Sequence, residues 1–246
     1  MSFHIFNVEY IIDYDLRVVA PLAIRSAGSP YGAIDNPIVK IRYGEKELPY
    51  IPGSSLKGVF RSEAERYVRT IYGDTPEYVC NILDPRGEKG ELHRKEKEEG
   101  SYRPCLVCRV FGGPTIASSV IFHNAFPKDD HYSISVMRRV SINRIVNAQH
   151  PGRLFDVEFI NPGTVFTGAI TIENIDILSN ESKEAKLFNV VFNRFKGGFM
   201  SVGSGRSVGY GLLSVDRFNV KRITLVDGRF IESDVTNEYM KVIENV

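Results

Sequence analysis

The chain has 246 residues, 43% hydrophobic and 25% charged, with a net charge of +1. That is ordinary for a soluble globular protein able to bury a sizeable core, and the net charge favours no particular partner. No run of about 18 apolar residues is present to span a membrane, and the opening MSFHIFNVEYII has neither a basic region nor a small-residue cleavage site, so a cytoplasmic protein without a secretory signal is expected.

In chain order, residues 3–12 alternate, with Phe6, Val8, Tyr10 and Ile12 on one face, and predict a strand. Residues 16–50 hold short β-like pieces broken by AGSPYG and GEKE. IPGSSLKGVFR (51–61) turns at Pro52-Gly53 and opens the clearest helix, 54–72, capped by Ser54 or Ser55. Leu56, Val59, Phe60, Ala64, Tyr67, Val68 and Ile71 line one side of it, and Lys57, Arg61, Glu65, Arg66 and Arg69 the other. Residues 74–113 are polar, cysteine-bearing and irregular, and SSVIFHNAF (118–126) predicts a strand. Residues 127–152 are basic with little period; RLFDVEFI and TVFTGAITIE then alternate on either side of Asn161-Pro162-Gly163, a hairpin signal.

A second helix is expected over 182–196, then a glycine-rich loop, GGFMSVGSGRSVGYG, a strand beginning LLSV, and a helical stretch near 233–244. Strand, helix, strands, helix, strand, with a long insertion after each of the first two elements, suits an α+β fold with both helices on one face of the sheet, the ferredoxin-like arrangement. No linker or internal repeat divides the chain, so one domain over 1–246 is expected, with insertions at about 16–50, 74–113 and 127–152.

Charge is distributed more tellingly than its sum. Four stretches carry bases and no acid: Leu16 to Ile34 (Arg17, Arg25), Asn36 to Gly44 (Lys40, Arg42), His131 to Phe155 (Arg138, Arg139, Arg144, His150, Arg153) and Ala185 to Val215 (Lys186, Arg194, Lys196, Arg206). Converging on one surface, they would form the electrostatic footprint of a polyanion site. Gly53 and Gly58 have P-loop spacing, but Val59-Phe60 stand where Lys-Ser or Lys-Thr should follow. Gly203, Gly205 and Gly209 miss the dinucleotide fingerprint. Both loops still let backbone approach phosphates, with Lys57 and Arg206 supplying charge; the alternative for either is a turn packed on the sheet.

Three cysteines, Cys80, Cys105 and Cys108, the last two as Cys-x-x-Cys, argue against a disulfide framework. With His93 they would close a tetrahedral structural zinc site clipping 74–113; the alternatives are unrelated buried thiols or a redox pair, which would prefer a helix N-terminus after a strand. Asp35 is the one acid between Leu16 and Gly44. On a basic surface it could bind a divalent metal beside a phosphodiester, or position an attacking hydroxyl, or instead cap the turn at Asn36-Pro37.

GAIDNPIVK, LPYIPGSSLKGVFR, CLVCRVFG, RLFDVEFINPGTVF and VGSGRSVGYG, in this order, resemble the RAMP superfamily, specifically the backbone subunit of type III CRISPR effector complexes, over roughly residues 3–218. The resemblance implies an RRM-like, ferredoxin-like core, several copies stacked along a guide CRISPR RNA, and a β-hairpin thumb that bends it. It implies an antiviral defence role in which complementary target RNA is cut in a reaction needing magnesium or manganese and an aspartate, which carries over to Asp35. Ser54, Ser55, Lys57 and Arg61 match the helix start that contacts guide phosphates, and Gly203, Gly205 and Arg206 the loop beside it. Arg25 joins this surface, and Arg138, Arg139 and Arg144 would be the thumb's phosphate contacts. Cys80, His93, Cys105 and Cys108 match the zinc cluster of related subunits. Ala23-Ile24-Arg25-Ser26 departs from the His-Ile-Gly-Gly common ahead of the aspartate.

The expected function is therefore a guide-binding subunit that cleaves target RNA within a complex of copies of itself and other subunits. Alternatives are a scaffold that binds guide and cuts nothing, and a metal-independent guide-processing endoribonuclease using a histidine.

Overall fold

In the computed structural model, which describes residues 5–26, 34–80, 104–113, 116–145 and 147–246, alternation organises the first strand. β1 (Glu9–Val18) buries Tyr10, Ile12, Tyr14, Leu16 and Val18 on one face, as period-2 side chains must when one face of a sheet is covered. The strand starts later than residues 3–12 predict: Val8, Tyr10 and Ile12 are inside, whereas Phe6 is exposed against Phe230.

A small ribbon follows, β2 (Lys40–Tyr43) with β3 (Lys46–Pro49), turned at Gly44 with φ +62°. Helix α1 (Gly53–Tyr72) buries Leu56, Phe60, Ala64 and Val68, the three- and four-residue spacing of one face. Its predicted serine cap is not made. Pro52 occupies the N-cap, and Ser54 and Ser55 sit inside the first turn.

A short helix α2 (Leu106–Phe111) comes next. The strand expected at 118–126 is two pieces, β4 (Val120–Phe122) and β5 (Phe126–Pro127), both paired with β8 (Val165–Glu173). Between β5 and β8 in the chain, β6 (Ile134–Asn143) and β7 (Ala148–Ile160) form a long separate hairpin. Asn161-Pro162-Gly163 therefore joins strands of two different sheets and is not a hairpin turn. Pairing partners lie far apart in sequence, which local turn chemistry cannot reveal.

Helix α3 (Lys183–Lys196) is capped by the Ser182 side chain and buries Leu187, Phe188, Val191, Phe192 and Phe195. β9 (Leu213–Val226) and β10 (Arg229–Asp234) end the sheet, and α4 (Thr236–Glu244) follows; β10 had no counterpart among the predicted elements.

The main sheet runs β10-β9-β1-β8-β4 with antiparallel neighbours throughout. Phe60 of α1 contacts Phe195 of α3, which reaches Tyr14 of β1, so both helices cover the same sheet face. Tyr239 of α4 closes the core against Phe192 and donates to Asn189 Oδ1 at 3.0 Å. The protein is thus mixed α and β, with mostly antiparallel sheets. Among the described residues, no helix is long and apolar enough to cross a membrane.

Candidate functional site

Three neighbourhoods gather the residues singled out in the sequence. The first is the start of α1. Gly53 packs against the Phe122 carbonyl so closely that a Cβ would lie 2.0 Å from that oxygen, and its N–H donates to Asn124 Oδ1 at 2.9 Å. Only glycine permits this approach, and it points the first turn of α1 outward. Ser54, Lys57 and Arg61 then line a cleft of about 490 Å³ whose far wall includes Gly112, Gly113 and Ser118. Burial, then the positive charge of Arg61, pushes the Lys57 ammonium below its ordinary pKa. A helix N-terminus with two cations in a cleft is suited to an anion.

Arg61 is held from below. It donates to Glu65 Oε1 at 2.9 Å, to the Gly112 carbonyl at 2.7 Å and to Cys108 Sγ at 3.4 Å. Its side chain is 13% exposed. Ser55 is half-buried on the first turn of α1.

Cys108 belongs to a buried trio. The sulfurs of Cys80, Cys105 and Cys108 all lie within 4.8 Å of one another, with Cys80 and Cys108 at 3.3 Å. That is too long for a disulfide, about 2.05 Å, and near the roughly 3.8 Å that tetrahedral thiolates on zinc would show. Hydrogen bonding to Cys105, then to Cys108, together with burial, pushes the Cys80 thiol up; three acidic groups crowded in this way are suited to a shared cation. The cluster could hold a metal ion such as zinc, whereas His93 lies outside the described residues. Cys-x-x-Cys does open a helix, since Cys105 is the N-cap of α2 and accepts from Cys108 N. The third sulfur beside it is what a simple redox pair lacks.

The second neighbourhood is the glycine-rich loop. Gly203 (φ +86°) lies so near the Ala23 carbonyl that a Cβ would be 2.6 Å from it, and Gly205 (φ +75°) caps a 3₁₀ turn at Arg206–Val208. Ser204 N donates to Ala23 O at 2.8 Å, and Arg25 Nε donates to Ser204 Oγ at 2.8 Å. Arg206 is exposed. The Arg139 guanidinium stacks 4.6 Å above the Tyr210 ring, and Tyr210 OH reaches Met137 Sδ at 3.7 Å. Arg25, the loop and the base of the β6–β7 hairpin thus meet.

The third neighbourhood lies on the other face of that hairpin. Strand alternation sends Arg138 opposite to Arg139. Arg138 makes a paired contact with Asp156, 2.9 and 3.1 Å, and this bonding holds the Asp156 carboxyl below its ordinary pKa. The backbone N–H of Asp156 donates to Asp35 Oδ2 at 2.8 Å. Asn36 bridges Val157 in parallel. Buried Glu158 accepts from Ile38 N at 2.9 Å and from Lys40 Nζ at 2.6 Å. Exposed Asp35 is therefore carried by the hairpin and does not cap its own turn. Arg144 is exposed near the hairpin tip, between the ends of β6 and β7.

Tyr210, Asp156 and Glu158 are site neighbours that sequence reasoning missed. Tyr210 had a usable signal, an aromatic ring inside a basic glycine loop. The two acids looked like ordinary strand positions.

A family model described as the RAMP superfamily matches residues 15–214. No curated protein sequence matches. A chain in "Cryo-EM structure of the Type III-B Cmr-beta bound to cognate target RNA" superposes with a TM-score of 0.54 at 19% identity, covering 86% of this chain and 60% of that one. The chain spans about 60% of the length of that neighbour, and the likeness bears on fold. With the family model matching most of its length, the chain belongs to the RAMP superfamily.

Proposed function

We propose that this chain is a guide-RNA-binding backbone subunit of a type III CRISPR effector complex, and that in the assembled complex it cleaves complementary target RNA at Asp35 with magnesium or manganese. The observation that carries the proposal is the β6–β7 hairpin, which has Arg139 on the glycine-rich loop on one face and Arg138 beside Asp35 on the other. Phosphate-cradling and acid-bearing loops are thereby joined by one element. The strand order β9-β1-β8-β4, with α1 and α3 on one face, supports a ferredoxin-like, RRM-like core, and the hairpin suits a thumb. Family membership and a structural neighbour whose title names cognate target RNA support RNA, copies of itself and other effector subunits as partners, in the cytoplasm.

Ser54, Ser55, Lys57, Arg25, Gly203, Gly205 and Arg206 would take guide phosphates through side chains and backbone N–H groups. Such contacts position a strand without reading its sequence. Arg138, Arg139 and Arg144 would do so from the hairpin. Asp35 accepts one N–H bond, which leaves acceptor capacity for a cation. When bound, a divalent ion would stabilise charge developing on the phosphodiester. Cys80, Cys105 and Cys108, with His93 as fourth ligand, would hold structural zinc in a closed site with no open position for catalysis.

A second reading is a scaffold that binds guide and does not cut; the bond from Asp156 N to Asp35 favours it, because a carboxylate can serve as an anchor alone. Binding itself is tested by guide-RNA titrations across salt concentrations. Lys57→Ala and Arg206→Ala should each weaken binding for all sequences alike and reduce the salt slope by about one. Unchanged slopes would remove these residues from the interface.

A further inference from the structure

The cysteine cluster and the α1 cleft share a wall. Arg61 Nη2 bonds Cys108 Sγ. Gly113 packs so tightly on the same residue that a Cβ there would lie 2.9 Å from the sulfur. Both Arg61 and Gly113 line the cleft that also presents Ser54 and Lys57. Cys108 therefore lies directly behind two of the cleft's lining residues, and the position of its sulfur sets both.

Arg61 is built for this task. Its planar guanidinium spends its N–H groups on Glu65, the Gly112 carbonyl and Cys108 at once, a fork that lysine cannot reproduce. These contacts tie α1 to the turn after α2, the two walls of the cleft. A metal-bound sulfur is a thiolate, and a guanidinium bonds an anionic sulfur more strongly than a thiol.

We propose that the cysteine cluster and the cleft are thermodynamically linked, with Arg61 as the positioning residue. A loaded cluster fixes Arg61 and the Gly112-Gly113 wall in the shape that takes an RNA phosphate at Ser54 and Lys57. A bound phosphate in turn tightens the cluster's hold on the ion, since coupling between the affinities of two sites is reciprocal. This rests on the readings that the cluster holds zinc and that the cleft takes guide RNA.

The test measures zinc affinity of the full chain by equilibrium competition with a chromogenic chelator, with and without saturating single-stranded RNA of guide length. In the wild type, RNA should tighten zinc binding by roughly fivefold or more. Arg61→Lys keeps the charge but not the fork; at RNA concentrations that saturate the variant, whatever its own affinity, RNA should no longer tighten its hold on zinc. Equal zinc affinity with and without RNA, in a wild type that binds both, overturns the link and leaves the underlying readings standing. A tightening that persists in Arg61→Lys overturns it as well, since the coupling would then not run through Arg61. Should Arg61→Lys lose zinc on purification, Gly113→Ala presses on the Cys108 sulfur with no change of charge. It should weaken RNA binding severalfold in the zinc-loaded chain, and unaltered affinity overturns the link. A wild type without zinc, or one that binds no RNA, overturns the underlying readings and the link with them.

Discussion

Asp35 owes its position to long-range partners and not to its own turn. The Asp156 N–H holds its carboxylate, the bridge from Asn36 to Val157 holds its backbone, and Glu158 holds the next strand through Ile38 N and Lys40. Glu158 is buried, so losing it leaves two donors without their acceptor. Glu158→Ala should cost about 1–3 kcal/mol in denaturant unfolding, and Glu158→Gln, which can still accept from Ile38 N, should cost less. Equal, negligible effects would mean that the Asp35 loop is anchored elsewhere. Asp35 was legible in the sequence as the lone acid in a basic stretch. Asp156 and Glu158 were not, because they lie about 120 residues from the groups they serve and pairing register is not written locally.

At the scale of elements, α1 and α3 begin differently, and the difference separates folding from binding. Ser182 caps α3 by accepting from Ala185 N at 3.1 Å, whereas α1 starts after Pro52 with no side-chain cap and leaves Ser54 exposed. Ser182→Ala should lower stability by about 1 kcal/mol. Ser54→Ala should leave the melting midpoint unchanged while weakening guide-RNA binding in titrations; the reverse pattern would reassign Ser54 to folding. Both helices were readable because apolar residues recur at helical spacing over 14 and 20 residues. The β6–β7 hairpin was only half readable: RLFDVEFI, the end of β7, alternates, whereas β6 carries Val136, Met137, Val140 and Ile142 among bases with no clean alternation. β10 was missed for a related reason. All six of its residues are exposed, so burial imposes no pattern on them.

Across the whole molecule, the acid-free stretches of the sequence meet where structure brings their elements together. Arg25 joins the glycine-rich loop, Arg139 joins Tyr210, and Arg138 joins the Asp35 segment. Several other bases are spent on acids, Arg17 with Asp216, Lys40 with Glu158 and Arg194 with Glu63, which composition alone could not distinguish. The cysteine trio was likewise legible from its count and spacing, but its place behind Arg61 and Gly113 of the α1 cleft was not. Elemental analysis of protein purified without added metal should find close to one zinc per chain, and Cys105→Ser should lose it; a metal-free wild type of native stability would refute the assignment.

The activity proposed for this subunit is cutting of RNA that its guide selects. It is tested by incubating the reconstituted guide complex with complementary target RNA, wild type against Asp35→Ala, with magnesium, with manganese and with chelator. Regularly spaced cuts that need the metal and vanish in Asp35→Ala, while guide and target binding persist, are the expected result. Cuts that survive the substitution, or a wild type that binds both RNAs and cuts neither, would overturn the proposed activity and leave Asp35 as an anchor of the hairpin.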